Sequence, residues 1–352
     1  MSLEDIHKLA KYKIIDAPFD YQDLDNELIS KYKYFENEFK GLYLGKSNQY
    51  KLKDCFFYIK NDFSCNAFAR NKRGYNVMGI TCGYAIQMLE AFDEKYFSSV
   101  SMLRLSLLNL NDVNIAGGYA DLHEIRNFRV NKFMLDCSIQ FTFGHEFQHM
   151  LQFNSSKIIV DNYRSENLDI SEFDIRRHAW ELDADWFAMW EVLKYIFEVK
   201  REYKIKDDNI FKCLLFLGLG SVSITKTLSY FGAWNFKQKV QKIDFYTKKY
   251  SHPHPLVRLL NIIDCFYVQI VDSFPSLKID KQALLNNVLG IIKIYFNSFA
   301  PNKEILTDIF KDMDLYLDAA NNYKSELYDV SINDDVIRTL LIKRGINFEH
   351  DN

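Results

Sequence analysis

The chain has 352 residues, 48% of them apolar, enough to bury a sizeable core in one large domain or two ordinary ones. A disordered chain, a collagen and a small disulfide scaffold are thereby excluded. The 44 Lys and Arg against 47 Asp and Glu leave a net charge of -3 and no basic tract, so the reading is of a protein with no nucleic-acid partner.

The N-terminal MSLEDIHKLAKYK carries an acid and no apolar run, which does not fit a secretory signal. Residues 1–50 mix acidic and aromatic positions without a clear period and read as an N-terminal extension. From 51 to 90, the runs Cys55–Ile59 and Tyr75–Cys82, broken by Gly74, Gly79 and Gly83, predict a small sheet. Gln87–Phe92 and Met102–Asn111 read as helical pieces, and Gly117-Gly118 as a loop. The six cysteines, Cys55, Cys65, Cys82, Cys137, Cys213 and Cys265, form no CxxC pair and read as reduced, mostly buried thiols. Together these features predict a cytoplasmic protein.

From Asp136 the pattern changes. Ile139, Phe143, Phe147, Met150 and Leu151 recur at helical spacing, with Asp136 or Ser138 to cap the start and Asn154 to end it. A second start signal, Ser171-Glu172-Phe173-Asp174, approximates a capping box and opens an amphipathic helix running to about Tyr203. A third, apolar helix is expected over 209–232. Its weakly charged stretch, Cys213–Thr225, is shorter than the roughly 20 residues a membrane helix needs, so it reads as a buried helix and no membrane span is expected. Ser251-His252-Pro253-His254-Pro255 forces a turn. A helix restarts near Arg258, and 263–352 reads as a helical C-terminal region without a cluster spaced for chemistry.

The first strong helix contains Gly144-His145-Glu146-Phe147-Gln148-His149, an HExxH sequence. Imidazoles at i and i+4 lie one above the other on a helix face and can close on one metal ion. Glu146 then points beside them toward a metal-bound water. The second helix carries Glu181-Leu182-Asp183-Ala184-Asp185, with Glu181 and Asp185 again on one face. One carboxylate can complete a two-histidine, one-carboxylate zinc site while the other orients an imidazole. A solvated acidic face is the plainer alternative. Trp180, Trp186 and Phe187 argue against it, because acids among large apolar groups need partners.

These motifs resemble the gluzincin metallopeptidases, specifically the group of the bacterial heat-shock protease HtpX and the type I CAAX prenyl proteases. The matching residues are His145, Glu146 and His149, then Glu181, Ala184 and Asp185. Upstream, Cys65-Asn66-Ala67-Phe68-Ala69 with Gly74-Tyr75-Asn76-Val77 resembles the segment that begins the group's edge strand beside the metal. Downstream, Ser251-His252-Pro253 and Arg258 resemble its His-Pro turn and trailing Arg. A weaker resemblance, in size and HExxH alone, is to the phage-exclusion protease Lit. The chain departs from the HtpX group in lacking its membrane helices and in having the extra regions 1–50 and 263–352, so substrate does not transfer.

The resemblance implies an α+β, predominantly helical protein with a zincin-like core over 51–262, hydrolysing a protein or peptide substrate. It implies one Zn²⁺ held by His145, His149 and Glu181, Glu146 as general base, and Asp185 holding a ligand histidine. It also implies His252 as donor to the developing oxyanion, Arg258 as support for the His-Pro turn, and Asn66, Ala67, Phe68 and Ala69 as the strand that receives substrate. His254 competes with His252 for the oxyanion role. His178 reads as a structural histidine, His123 as surface, and His7 and His350 as terminal and uninvolved. The competing function is a pseudo-peptidase that keeps the fold and acts as a binding or regulatory protein.

Overall fold

The computed structural model describes residues 6, 9–109, 111–156, 162–165, 173–230, 243–299 and 305–346, with backbone alone at 162–165, 229–230 and 305–310. The first long helix, α1 Asn26–Gln49, lies in the stretch read as aperiodic. Its Tyr32, Phe35, Phe39 and Tyr43 recur every three or four residues and are buried, and the Asp25 side chain caps Leu28 N–H at 2.9 Å. The stripe is present in the sequence but obscured by Tyr34 and Leu42, half-buried large side chains between its members.

Three strands follow: β1 Cys55–Lys60, β2 Ala67–Lys72 and β3 Tyr75–Thr81. Arg73 and Gly74 both take positive φ (52° and 84°), the geometry of a tight two-residue hairpin between β2 and β3. A fourth strand, β4 Asn162–Ser165, gave no signal in the sequence. The spatial order is β1-β3-β2-β4, with β1 parallel to β3 and the other two pairings antiparallel.

Thr81 caps the next helix, α2 Cys82–Ala91, and α3 Ser99–Leu108 follows. The loop expected at Gly117-Gly118 is instead the middle of α4, Val113–Glu124. A Cβ on Gly118 would stand 2.9 Å from the backbone oxygen of Asn209, so this glycine marks close helix packing, not a turn.

The HExxH helix, α5 Val130–Ser155, starts six residues before the expected Asp136. Asp136 and Ser138 are not caps. Asp136 accepts from Tyr34 and from Tyr195 (2.8 Å), and Ser138 pairs with Thr225 at 3.0 Å, so their polarity serves other helices. The second expected helix is α6, Ile175–Glu202. Its cap is Asp174, accepting from Arg176 N–H at 3.0 Å; Ser171 and Glu172 lie outside the described residues. The apolar helix is α7, Asp208–Tyr230, and residues 231–232 of the expected span lie outside the described residues. Its segment Asp208–Leu228 is long and apolar enough to cross a membrane by composition, but 83% of that window is buried in the protein.

His254 caps α8, Pro255–Ser273, and α9 Lys281–Phe299, α10 Ile305–Asn333 and α11 Asp335–Lys343 complete the chain. The protein is therefore α+β and predominantly helical. One hydrophobic cluster runs from Tyr32 to Leu340, so the expected boundaries at 50 and 262 do not divide the core. All six cysteines are free, with Cys82, Cys137 and Cys213 buried.

Candidate metal centre

Helices α5 and α6 pack along their length, and the approach is tight where a Cβ on Gly144 would meet Ala188 Cα at 2.9 Å. That contact sets the imidazoles of α5 against the carboxylates of α6. Nε2 of His145 and Nε2 of His149 stand 3.0 Å apart, with the rings perpendicular. Glu181 faces both, Oε2 at 3.2 Å from His145 Nε2 and Oε1 at 3.2 Å from His149 Nε2. The three side chains are buried, and their ligand atoms lie within 4.8 Å of one another, a group that can hold a metal ion.

The far side of each ring decides which nitrogen carries the proton. His145 Nδ1 lies 3.0 Å from Asp185 Oδ1, and a carboxylate accepts, so Nδ1 is the protonated nitrogen. His149 Nδ1 lies 2.8 Å from Gln152 Oε1. The amide is oriented by its nitrogen, which donates to Trp180 O (3.1 Å) and Asp183 Oδ2 (2.8 Å), so its oxygen accepts from His149. Both Nε2 lone pairs therefore point at one place, together with two Glu181 oxygens that are buried and accept no hydrogen bond among the described residues. Electron-rich atoms converging in a buried space fit a cation.

Burial pushes the Glu181 carboxyl up, but the positive charge that His252 and His149 carry when protonated outweighs it and holds the group well below the usual carboxylate range. Burial likewise opposes ionisation of Asp185, and the Arg258 guanidinium reverses it, leaving the pKa lowered. Arg258 clasps Asp185 through Nε (2.9 Å) and NH2 (2.6 Å), while its NH1 lies 3.7 Å from Glu181 Oε2. The guanidinium thus clasps the carboxylate that holds His145, and its NH2 also stands 3.4 Å from His145 Nδ1.

Glu146 is buried on α5 directly after His145. His252 brings Nε2 to 3.5 Å from Glu181 Oε1, and its Nδ1 pairs with Ser251 Oγ at 2.8 Å. His254 is engaged elsewhere, since its Nδ1 accepts from Leu256 N–H at 3.1 Å and caps α8. Of the two, His252 is the one beside the ligand group. His178 is buried between Tyr250 O (2.6 Å) and the Tyr323 hydroxyl (2.7 Å), joining α6, the turn before His252 and α10. His123 is exposed on the last turn of α4. His7 and His350 lie outside the described residues.

The strand expected at an edge carries neighbours on both sides. From Phe68 to Asn71, β2 pairs with β4, and on its other side it pairs with β3. Asn66 exchanges bonds with Thr81, receiving Thr81 N–H at its carbonyl (2.9 Å). Ala67 and Ala69 face the main core, whereas Phe68 packs on Tyr58 in a small cluster on the opposite face.

Two features escaped sequence reasoning. Gln152, three residues after His149, had a visible signal, because i and i+3 side chains meet on a helix. The other is a brace on α5: Gln148 donates to Asp183 Oδ2 at 2.5 Å and accepts from Arg344, which lies 196 residues away and gave no signal. No family model, curated protein or solved structure matches the chain.

Proposed function

We propose that the protein is a zinc-dependent metalloendopeptidase of gluzincin type. The observation that carries this reading is the convergence of His145 Nε2, His149 Nε2 and the Glu181 carboxylate, with each imidazole held from behind by an acceptor. Zinc suits two nitrogens and one carboxylate. At bond lengths of about 2.0–2.1 Å, a tetrahedral ion separates its ligand nitrogens by roughly 3.3 Å. The 3.0 Å between the two Nε2 atoms is in keeping with that. When bound, zinc would supply Lewis acidity and a water of lowered pKa.

The chain's own groups would do the rest. Glu146 accepts the proton of the water that attacks the peptide carbonyl and returns it to the departing amine. His252 donates from its ring to the carbonyl oxygen as charge develops there. Asp185 and Gln152 keep the two ligand rings in the required tautomer, and Arg258 keeps Asp185 ionised. An extended peptide would add along β2, on the side that β4 occupies, so productive binding requires β4 to leave.

The deep burial of the ligand group, with β4 seated on β2, also favours the second reading of a catalytically silent pseudo-peptidase. Metal content by mass spectrometry, with cleavage of unfolded protein, separates the two. Zinc near one per chain in wild type and Glu146→Gln, lost in His145→Ala, with cleavage by wild type alone, supports the peptidase. Bound zinc without cleavage, also after β4 is disrupted, moves the conclusion to the pseudo-peptidase. Absence of bound metal in folded wild type refutes the metal site and with it the peptidase.

A further inference from the structure

Two residues beyond Glu181, helix α6 turns to its other side, and there Asp183 lines a cavity of about 670 Å³ between α6, α8, α10 and α11. That volume lies inside the range of roughly 300–1,000 Å³ that small-molecule sites occupy. The walls are mainly apolar, with Trp186 and Tyr328 among them.

Asp183 is 6% exposed. Its Oδ2 accepts from Gln148 and Gln152, whereas its Oδ1 has no hydrogen-bond partner among the described residues. The remaining charged groups of the lining are Asp264, Lys324 and Asp329. Lys324 is held by Asp264, which also takes Lys281 at 2.6 Å, so this cation of the wall is already matched. A carboxylate on a side chain only 6% exposed, lining a cavity with apolar and aromatic walls, is complementary to a positive charge on an apolar body. Such a group gains from the carboxylate and from the faces of Trp and Tyr, and an anion gains from neither.

We propose that this cavity binds a small organic ammonium, an amine or quaternary ammonium carried on an aliphatic or aromatic body. This goes beyond the peptidase reading and does not depend on it. Because Gln152 touches both Asp183 and His149, an occupant that draws on Asp183 also acts on the ring that faces Glu181.

The test is calorimetric titration of the full chain with phenylbutylammonium, phenylbutanol and phenylbutanoate, which share one body and differ in charge. The ammonium is expected to bind about tenfold or more tightly than the alcohol, with no binding of the carboxylate. Val268, 50% exposed at the wall, gives a variant that narrows the cavity without disturbing the core: Val268→Trp is expected to weaken binding. Asp183→Asn is expected to bring the ammonium down to the level of the alcohol. Equal binding of the three probes, preference for the carboxylate, or binding untouched by Val268→Trp overturns the proposal. Zinc affinity by chelator competition, with and without saturating phenylbutylammonium, tests the link to His149, and an identical value overturns that link.

Discussion

Gln152 accepts the Nδ1 proton of His149 at 2.8 Å, and Asp183 and Trp180 together fix which end of that amide faces the ring. A neutral carboxamide thereby does for one ligand histidine what the Asp185 carboxylate does for the other. Removing it frees the ring to rotate and to place its proton on Nε2, where a metal must bind. Gln152→Leu is expected to weaken zinc binding about ten- to hundredfold while leaving a cooperative thermal transition. Chelator competition measures it, and unchanged affinity would mean that Gln152 does not set the tautomer.

The HExxH helix was legible because its chemistry and its periodicity lie in one continuous stretch. Glu181 and Asp185 were legible because a four-residue spacing on an apolar helix has few uses besides a shared face. The helix α1 was missed although Tyr32, Phe35, Phe39 and Tyr43 spell its stripe, since Tyr34 and Leu42 beside them are also large and apolar. The partners that hold the site from a distance could not be read at all. Arg344 reaches Gln148, and Tyr323 reaches His178, only because α10 and α11 fold back on α5 and α6.

Gly117 and Gly118 read alike in sequence and differ in structure. Nothing lies within 4 Å of a Cβ built on Gly117, whereas one on Gly118 meets Asn209 O at 2.9 Å and Cys213 Sγ at 3.0 Å. Gly117→Ala is expected to stabilise the protein by about 0.5–1 kcal/mol through helix propensity. Gly118→Ala is expected to destabilise it by about 1–3 kcal/mol, because the backbone of α7 must move. Chemical denaturation of both variants decides it, and equal effects would deny the close approach of α4 and α7.

Asp264 joins three helices through Lys281 and Lys324. Burial raises its pKa, but the two ammonium groups outweigh this and leave it below the ordinary 3.8. A carboxylate with a depressed folded pKa adds stability that is complete above the unfolded value. That stability is lost as pH falls through the folded one. Asp264→Asn is therefore expected to cost about 1 kcal/mol at neutral pH, the scale of a partly exposed pair, and nothing once both forms are protonated. Urea denaturation at about pH 7 and about pH 2.5 reads the difference. A penalty that persists in acid would assign the effect to packing.

The strand β4 pairs with Phe68–Asn71, Asn162 opposite Asn71 and Ser165 opposite Phe68. That ladder is the one an extended peptide would make on β2, so the two compete for the same N–H and C=O groups. Proline removes a donor and resists a ladder position. The double substitution Tyr163→Pro with Ser165→Pro is expected to free β2 while leaving α5, α6 and zinc content as they are. If peptides enter along β2, this variant cleaves an unfolded protein several-fold faster than wild type, since the chain no longer occupies the strand position itself. If cleavage by wild type is present and the variant only matches or loses it, the substrate runs elsewhere and β4 is a structural part of the sheet.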